Sequence, residues 1–488
     1  MSAAKFTRGS TMRHVVVMTV TASLGLLSLF AVDALNLFYI SLLGVEELAA
    51  AIGFAGTIQF FMISVSIGLL IAGTATVSRA EGAGDRARAR HLATSALVTA
   101  ALALTFVSAL VWIWRDPALE LLGAQGEALA LASMFLAITL PSVPLVGIGM
   151  CCSGTLRAIG EANRAMYVTL GGGLIAAVLD PILIFGLDLG LTGAGIAMVL
   201  TRGAIAAIGL WLVISKHDML ARPDMATWLD DLPPLARLAA PIMATQLSTP
   251  FGNAYLTATV AEFGDSAVAG WAVVGRITAL AFGGIFALAG AVGPIIGQNY
   301  GAGLWPRVTS TYRNGLIFTA IYVCLAWALL AAASDLIIGA FALQAEGAQI
   351  VSTFATLTAG AFAFTGALFV SNAAFNNLGR PLWSTMFNWS RDAAVIPLLV
   401  LLVAGGMGAS GVVWIKALAA VIVGTIAAIT GWYTVHALAR RGAAPPHGPA
   451  DVPSPDFPPA PAFASGRAVS MIAPKTVSEP LATEEEKR

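Results

Sequence analysis

The stretch Val15–Leu43, VVVMTVTASLGLLSLFAVDALNLFYISLL, decides how the rest of the chain is read. It is longer than the roughly 20 apolar residues that a helix needs to cross a bilayer. Its one charged residue is Asp33, and Asn36 follows three residues on, on the same helical face. Asp33 lies about ten residues from the loop at Gly44, or about 15 Å at the helical rise, which is too deep to reach headgroups. A carboxylate at that depth costs at least about 2.5–3.5 kcal/mol and ordinarily faces a cavity and carries function.

Composition carries the same message to the whole chain. Of 488 residues, 58% are hydrophobic and 11% are charged, against about 25% charged in soluble domains. Apolar runs of spanning length point to helices, where a barrel would show alternating segments of about ten residues. The net charge is zero, which gives no footprint for nucleic acid. The first apolar run is too long for a signal peptide and is expected to be retained. Cys151, Cys152 and Cys324 form no CxxC pattern and read as buried free thiols.

Twelve spans are expected, at about 14–43, 47–77, 91–114, 129–153, 166–187, 190–215, 235–262, 266–297, 310–333, 350–376, 384–405 and 409–436. Lys and Arg concentrate at the termini and in the even-numbered loops, whereas the odd-numbered loops hold only Arg115. The positive-inside rule then places both termini in the cytoplasm. The chain also repeats itself. Gly82-Ala83-Gly84 recurs as Gly301-Ala302-Gly303, and Gly160 recurs as Gly379 at the same offset, while the spacing from Gly44 to Gly264 is wider by a single position. Six spans per repeat is an even number, so the two halves share one orientation, with an axis along the membrane normal and a site at their interface. The expected organisation is an N-terminal lobe over 1–215, a cytoplasmic linker over 216–234, a C-terminal lobe over 235–441 and a disordered tail over 442–488. The tail holds ten of the 23 prolines.

The acids within spans are Asp33, Asp180 and Asp392, and the cations are Arg202, Arg276, Arg391 and Lys416. Asp180 precedes Pro181, which removes a helical hydrogen bond and should kink span five. Asp180 either titrates beside Asp33 or hydrogen-bonds its own kink; the spacing leaves both open. Arg391 and Asp392 are adjacent, so each should pair with other helices, in a charge network that takes in Arg276. Arg202 and Lys416 read as structural or snorkelling cations. There is no GxxxxGK[ST], no HExxH and no GxSxG. A nucleotide-driven pump, a metal enzyme and a serine hydrolase are therefore not indicated, and neither a cofactor nor a metal is expected.

The chain resembles the multidrug and toxic compound extrusion family over residues 12–436. The resemblance rests on Gly297-Gln298-Asn299-Tyr300-Gly301-Ala302-Gly303, on Ser78-Arg79-Ala80-Glu81-Gly82-Ala83-Gly84, on Leu179-Asp180-Pro181 and on Gly193-Ala194-Gly195. It implies an all-α membrane protein of two six-helix lobes, exporting amphipathic, often cationic compounds against H⁺ or Na⁺. Asp33 matches the family's helix-one Asp, and Asp180 matches the helix-five Asp of its proton-linked, DNA-damage-inducible-like branch. Three departures are Ala176 where that branch has Asn, the absence of proline from Val15–Leu43, and Thr249-Pro250-Phe251 where the Na⁺-linked branch has an acid. The expectation is a monomeric, multi-pass inner-membrane H⁺ antiporter for small amphipathic molecules, in contact with lipid, with Asp33, Asp180 and Asn36 coupling the two fluxes. The alternatives are a lipid-linked saccharide flippase of the same superfamily and a Na⁺-coupled antiporter.

Overall fold

The computed structural model describes the backbone of residues 4–41 and 46–442; the side chains of 29–30, 32–38, 40–41, 46–47, 49 and 403–407 lie outside the description. The anchor at Gly44 and the proline-rich segment beyond Gly442 also lie outside it.

Twelve helical spans account for nearly all of the described chain. In the first repeat they are α1 (Thr11–Ser41), α2 (Glu46–Gly82), α3 (Arg86–Ile113), α4 (Gly126–Ala158), α5 (Ala162–Gly186) and α6 (Gly190–Lys216). In the second they are α7 (Met225–Ala261), α8 (Asp265–Ala281 and Gly283–Gly301), α9 (Trp305–Ala332), α10 (Ala345–Asn377), α11 (Pro381–Trp389 continuing to Met407) and α12 (Gly411–Arg441). Nine described helices are long and apolar enough to cross a membrane, and α8, bent by 46°, makes a tenth. The other two are α7, whose second half carries Gln246, Ser248, Thr249 and Asn253, and α11, which is divided by a π-helical turn.

The repeat is visible in the backbone. Arg86–Ile113 recurs as Trp305–Ala332 at the offset of the Gly-Ala-Gly segments, and the short helix Arg115–Leu121 recurs as Ser334–Ala340. The 3₁₀ break Leu140–Ser142 within α4 recurs as Ala359–Ala361 within α10. Gly123 and Gly126 have positive φ, and their counterparts Ala342 and Ala345 hold φ values of 48° and 47°. The second copy keeps the left-handed turn without glycine, at about 1–2 kcal/mol per alanine. The protein is thus an all-α membrane protein of two six-helix lobes related by a pseudo-two-fold axis.

Helix α1 is shared between the lobes. Val15 and Met18, near its start, are buried in the same core as Leu288 and Ile295 of α8. Further along, a Cβ on Gly25 would lie 2.4 Å from the Thr169 hydroxyl of α5, so only glycine admits that approach. Helix α7 starts within the expected linker: Asp224 caps it by accepting the Thr227 N–H at 2.8 Å, and Met225 to Pro234 form its first turns. The Thr227 hydroxyl, donating at 2.6 Å, and then the Thr227 N–H hold the exposed Asp224 carboxyl below the usual carboxylate range. Asp231 is buried, pairs with Arg88 and accepts the Ser95 hydroxyl at 2.7 Å, tying α7 to α3. Cys151 and Cys152 are buried as expected, but Cys324 is exposed on α9, on a surface for acyl chains to cover.

Candidate functional site

Asp180 is buried in α5, one residue before Pro181. Pro181 cannot donate a backbone hydrogen bond, and the chain continues as a π-helical turn, Ile182–Gly186, instead of a further α turn. Such turns concentrate at functional sites, because they free backbone groups and re-aim side chains. Gly193 lets the start of α6 press on this turn: a Cβ there would lie 2.4 Å from the Leu183 carbonyl oxygen.

The backbone of Asp33 and Asn36 lies in α1, and their side chains lie outside the described residues. Contacts on either side nevertheless fix the register of α1 on α5. Gly25 meets Thr169, and the Tyr39 ring packs edge-on against Phe185 at 6.0 Å. Between those contacts, backbone positions 33 and 180 fall within about one helical turn of the same depth.

Arg202 is buried in α6 and fully engaged. It donates to the Thr139 carbonyl at 2.9 Å, the Ser142 hydroxyl at 2.9 Å and Gln59 Oε1 at 2.8 Å. These groups surround the 3₁₀ break of α4, where Pro141 and Pro144 remove backbone donors. The expected structural role therefore has a definite form: the guanidinium ties the break to Gln59 of α2, while the Ala137 carbonyl, whose helical donor Pro141 removes, accepts the Trp112 indole N–H at 3.1 Å.

Arg391 and Asp392 do not look to other helices for charge; they pair with each other. Arg391 Nε donates to Asp392 Oδ1 at 2.7 Å and Nη2 donates to Oδ2 at 2.8 Å. The expectation assumed α-helical spacing, but Ser390–Val395 is a π turn, whose wider winding brings the adjacent side chains together. Ser248 adds a hydroxyl to Asp392 Oδ2 at 2.8 Å, and Gly252 leaves room for the carboxylate. Arg276 stands apart, exposed on α8, with no ion pair among the described residues. Lys416 reaches Asn253 Oδ1 at 3.4 Å and lies 4.9 Å from the centre of the Trp271 ring.

The lobes meet at the end that carries the Arg-rich loops. Gly82 and Gly301 hold one position of the repeat and are equivalent in the seam. A Cβ on Gly82 would lie 2.0 Å from the Gln298 carbonyl oxygen, and one on Gly301 would lie 2.0 Å from that of Arg79. Arg79 donates to the carbonyls of Asn377 and Asn376 at 2.8 and 2.7 Å, and Gln298 donates to that of Ala158 at 2.6 Å. The N-terminal segment is laid across this seam. The Phe6 N–H binds Gln298 Oε1 at 2.8 Å, and Arg307 Nη2 donates to the Phe6 carbonyl at 2.7 Å. Lys5 meanwhile pairs with Glu161 of the other lobe at 3.3 Å. Nearby, His217 accepts from Arg164, and Arg86 donates to its carbonyl at 2.6 Å. Burial, then the charge of Arg164, pushes the His217 imidazole below its ordinary value.

A separate cavity of about 220 Å³, lined by His91, Arg222, Asp224 and Trp228, lies between the start of α3 and that of α7, away from Asp180. The sequence reading missed the seam donors Arg79 and Gln298 and the position of Arg157, which was counted in a loop but lies in the last turn of α4. The offset between the Gly-Ala-Gly segments also pairs Arg79 with Gln298, and it was the available signal for the first two.

Two blocks, residues 16–182 and 241–401, match the model of the MatE family, one for each lobe. The chain belongs to the MATE family. Similar proteins include one named "FAD transporter" from Shewanella oneidensis, 28% identical over 386 residues, covering 78% of this chain and 85% of that protein. Another is "Multidrug export protein MepA" from Staphylococcus aureus, 24% identical over 390 residues, covering 78% and 84%. Among solved structures, the Vibrio cholerae MATE transporter VcmN in the bent form superposes with a TM-score of 0.82 at 23% identity, covering 88% of this chain and 98% of that one. An outward-facing multidrug resistance MATE transporter gives 0.83 at 20% identity, covering 90% and 99%. The first glycine of each Gly-Ala-Gly segment behind the MATE resemblance, Gly82 and Gly301, is a glycine of the seam. The protein is accordingly a multi-pass membrane transporter of small molecules rather than an enzyme.

Proposed function

We propose that this transporter exports amphipathic small molecules across the inner membrane in exchange for protons, with Asp33 and Asp180 as the coupling carboxylates and Asn36 beside them. The observation that carries the reading is a buried aspartate, Asp180, directly before a proline and a π turn; the register of α1 on α5 supports it, since backbone position 33 falls within about one helical turn of that depth. A carboxylate that binds its proton with different affinity in the two open states links protonation to which side of the lobe is open. The termini and the sealed seam belong to the cytoplasmic side, as the Lys and Arg distribution requires. The lobes are 1–215 and 235–441, joined through 216–234. Helix α7 has no acid at Thr249-Pro250-Phe251, which favours H⁺ over Na⁺.

A second reading concerns the cargo. The relative named an FAD transporter favours a substrate that carries phosphate, where the relative named a multidrug exporter leaves its charge open. Purified protein in liposomes tests the proposal. An imposed pH gradient should drive uptake of a fluorescent amphipathic dye, and a Na⁺ gradient of the same size should not. Uptake that follows Na⁺ and ignores pH would overturn the coupling assignment.

A further inference from the structure

Among the described residues, arginines withdrawn from the exposed surface make hydrogen bonds or ion pairs, with one exception, Arg157. It lies half-buried in the last turn of α4. Its Nη1 lies 3.1 Å from where a Cβ of Gly290 would stand, on α8 of the opposite lobe. The next residue, Ala158, gives its carbonyl to Gln298. Gly290 is eight residues before Gln298, or about 12 Å along the helix axis. Helical side chains lean towards their own N-terminus, so the guanidinium rises from the sealed end into the seam between the lobes.

The repeat shows what is unusual here. The counterpart of Arg157 in the second lobe is Asn376, which is neutral and engaged: its Oδ1 accepts the Ser384 hydroxyl at 3.0 Å and its carbonyl holds Arg79. The first lobe alone has placed a permanent cation at this level. A guanidinium presents five donors in a planar fork that matches phosphate and carboxylate. Withdrawing it from water with no hydrogen bond or ion pair among the described residues is costly, which is a mark of a residue kept for a ligand.

We infer that Arg157 is a specificity residue that receives an anionic group, phosphate or carboxylate, of the transported molecule at the closed floor of the seam. The inference rests on the export reading and names one recognition contact within it. The test is binding of flavin adenine dinucleotide and of riboflavin to purified full-length protein in phosphatidylcholine nanodiscs. The wild type should prefer the dinucleotide by roughly tenfold or more, the size of one charge-assisted hydrogen bond. Arg157→Gln should lose that preference while keeping riboflavin affinity, and Arg157→Lys should retain part of it. No preference in the wild type, a preference that survives in Arg157→Gln, or an equal loss of both ligands would each overturn the assignment. Loss of the wild-type preference on adding phosphatidylglycerol would hand the residue to lipid phosphate and overturn it as well. Binding is read without a gradient, so a failure of pH-driven export would sink the export reading and leave this result standing.

Discussion

Arg79 and Gln298 hold one position of the repeat, and each reaches across the seam to the last carbonyl of the other lobe's fourth helix, Arg79 to Asn377 at 2.8 Å and Gln298 to Ala158 at 2.6 Å. The exchange leaves neither helix end unsatisfied. It also means that opening this end breaks both bonds together. A charged hydrogen bond contributes about 1.5–3 kcal/mol and a neutral one about 0.5–1.5. Arg79→Ala should therefore move the lobes towards the state open at this end by roughly tenfold or more in population, and Gln298→Ala by less. Spin-label distances across the seam check this; distributions identical to wild type in both variants would show that the exchange sets no bias.

Asp33→Asn and Asp180→Asn should fold and yet lose pH-driven accumulation of substrate, Asp33→Asn more severely. Asparagine keeps shape and much of the hydrogen bonding but cannot titrate. Without a proton-dependent difference in affinity, protonation can no longer shift the two-state equilibrium. Transport by folded, purified Asp33→Asn at the wild-type rate would mean that the carboxylate is structural.

Arg202→Met should lower stability and leave the identity of the coupling ion unchanged. Methionine fills the space, but Gln59 Oε1 loses its donor and the Thr139 carbonyl keeps only the Ser142 hydroxyl. Each acceptor left bare costs about 1–3 kcal/mol. Thermal melting in detergent, followed by the ion dependence of whatever activity survives, separates the two effects.

His217 gives the sealed end a pH dependence of definite sign. Its pKa is lowered in the folded state by burial and by Arg164. Above the unfolded value, about 6.5, both states are neutral and stability is complete. As pH falls through that value towards the folded one, the unfolded chain takes up the proton first, and stability declines. The melting temperature should drop between about pH 7.5 and 5.5, and His217→Asn should flatten that slope. A slope unchanged by the substitution would place the titration elsewhere.

The spans and their repeat were legible because both rest on local signals: long apolar runs, glycines before loops and the side on which Lys and Arg fall. The break in α-helical winding after Asp180 could be read from Pro181 alone, though it takes the form of a π turn. The pairing of Arg391 with Asp392 could not, because one π turn changes which neighbours face each other, and nothing in Ser390–Val395 announces a π turn. Arg157 was read as a loop residue because α4 runs a turn further than its apolar pattern, to Ala158. Sequence also gives no view of the seam, where glycines are chosen by a backbone in the other half of the chain rather than by their own turn.

Gln298, which takes the Phe6 N–H, lies 292 residues further along the chain and is made correspondingly later. Translation at about 5–20 residues per second separates the two by roughly 15–60 s. During that interval the buried Phe6 ring has no second lobe to enter, and the start of α1 must wait with its apolar face unmatched. The segment around Phe6 is therefore made well before the lobe that holds it, and docks late. A bulky fusion ahead of Ala4 would act on this assembly step, lowering the yield of sealed transporter at an unchanged rate of insertion.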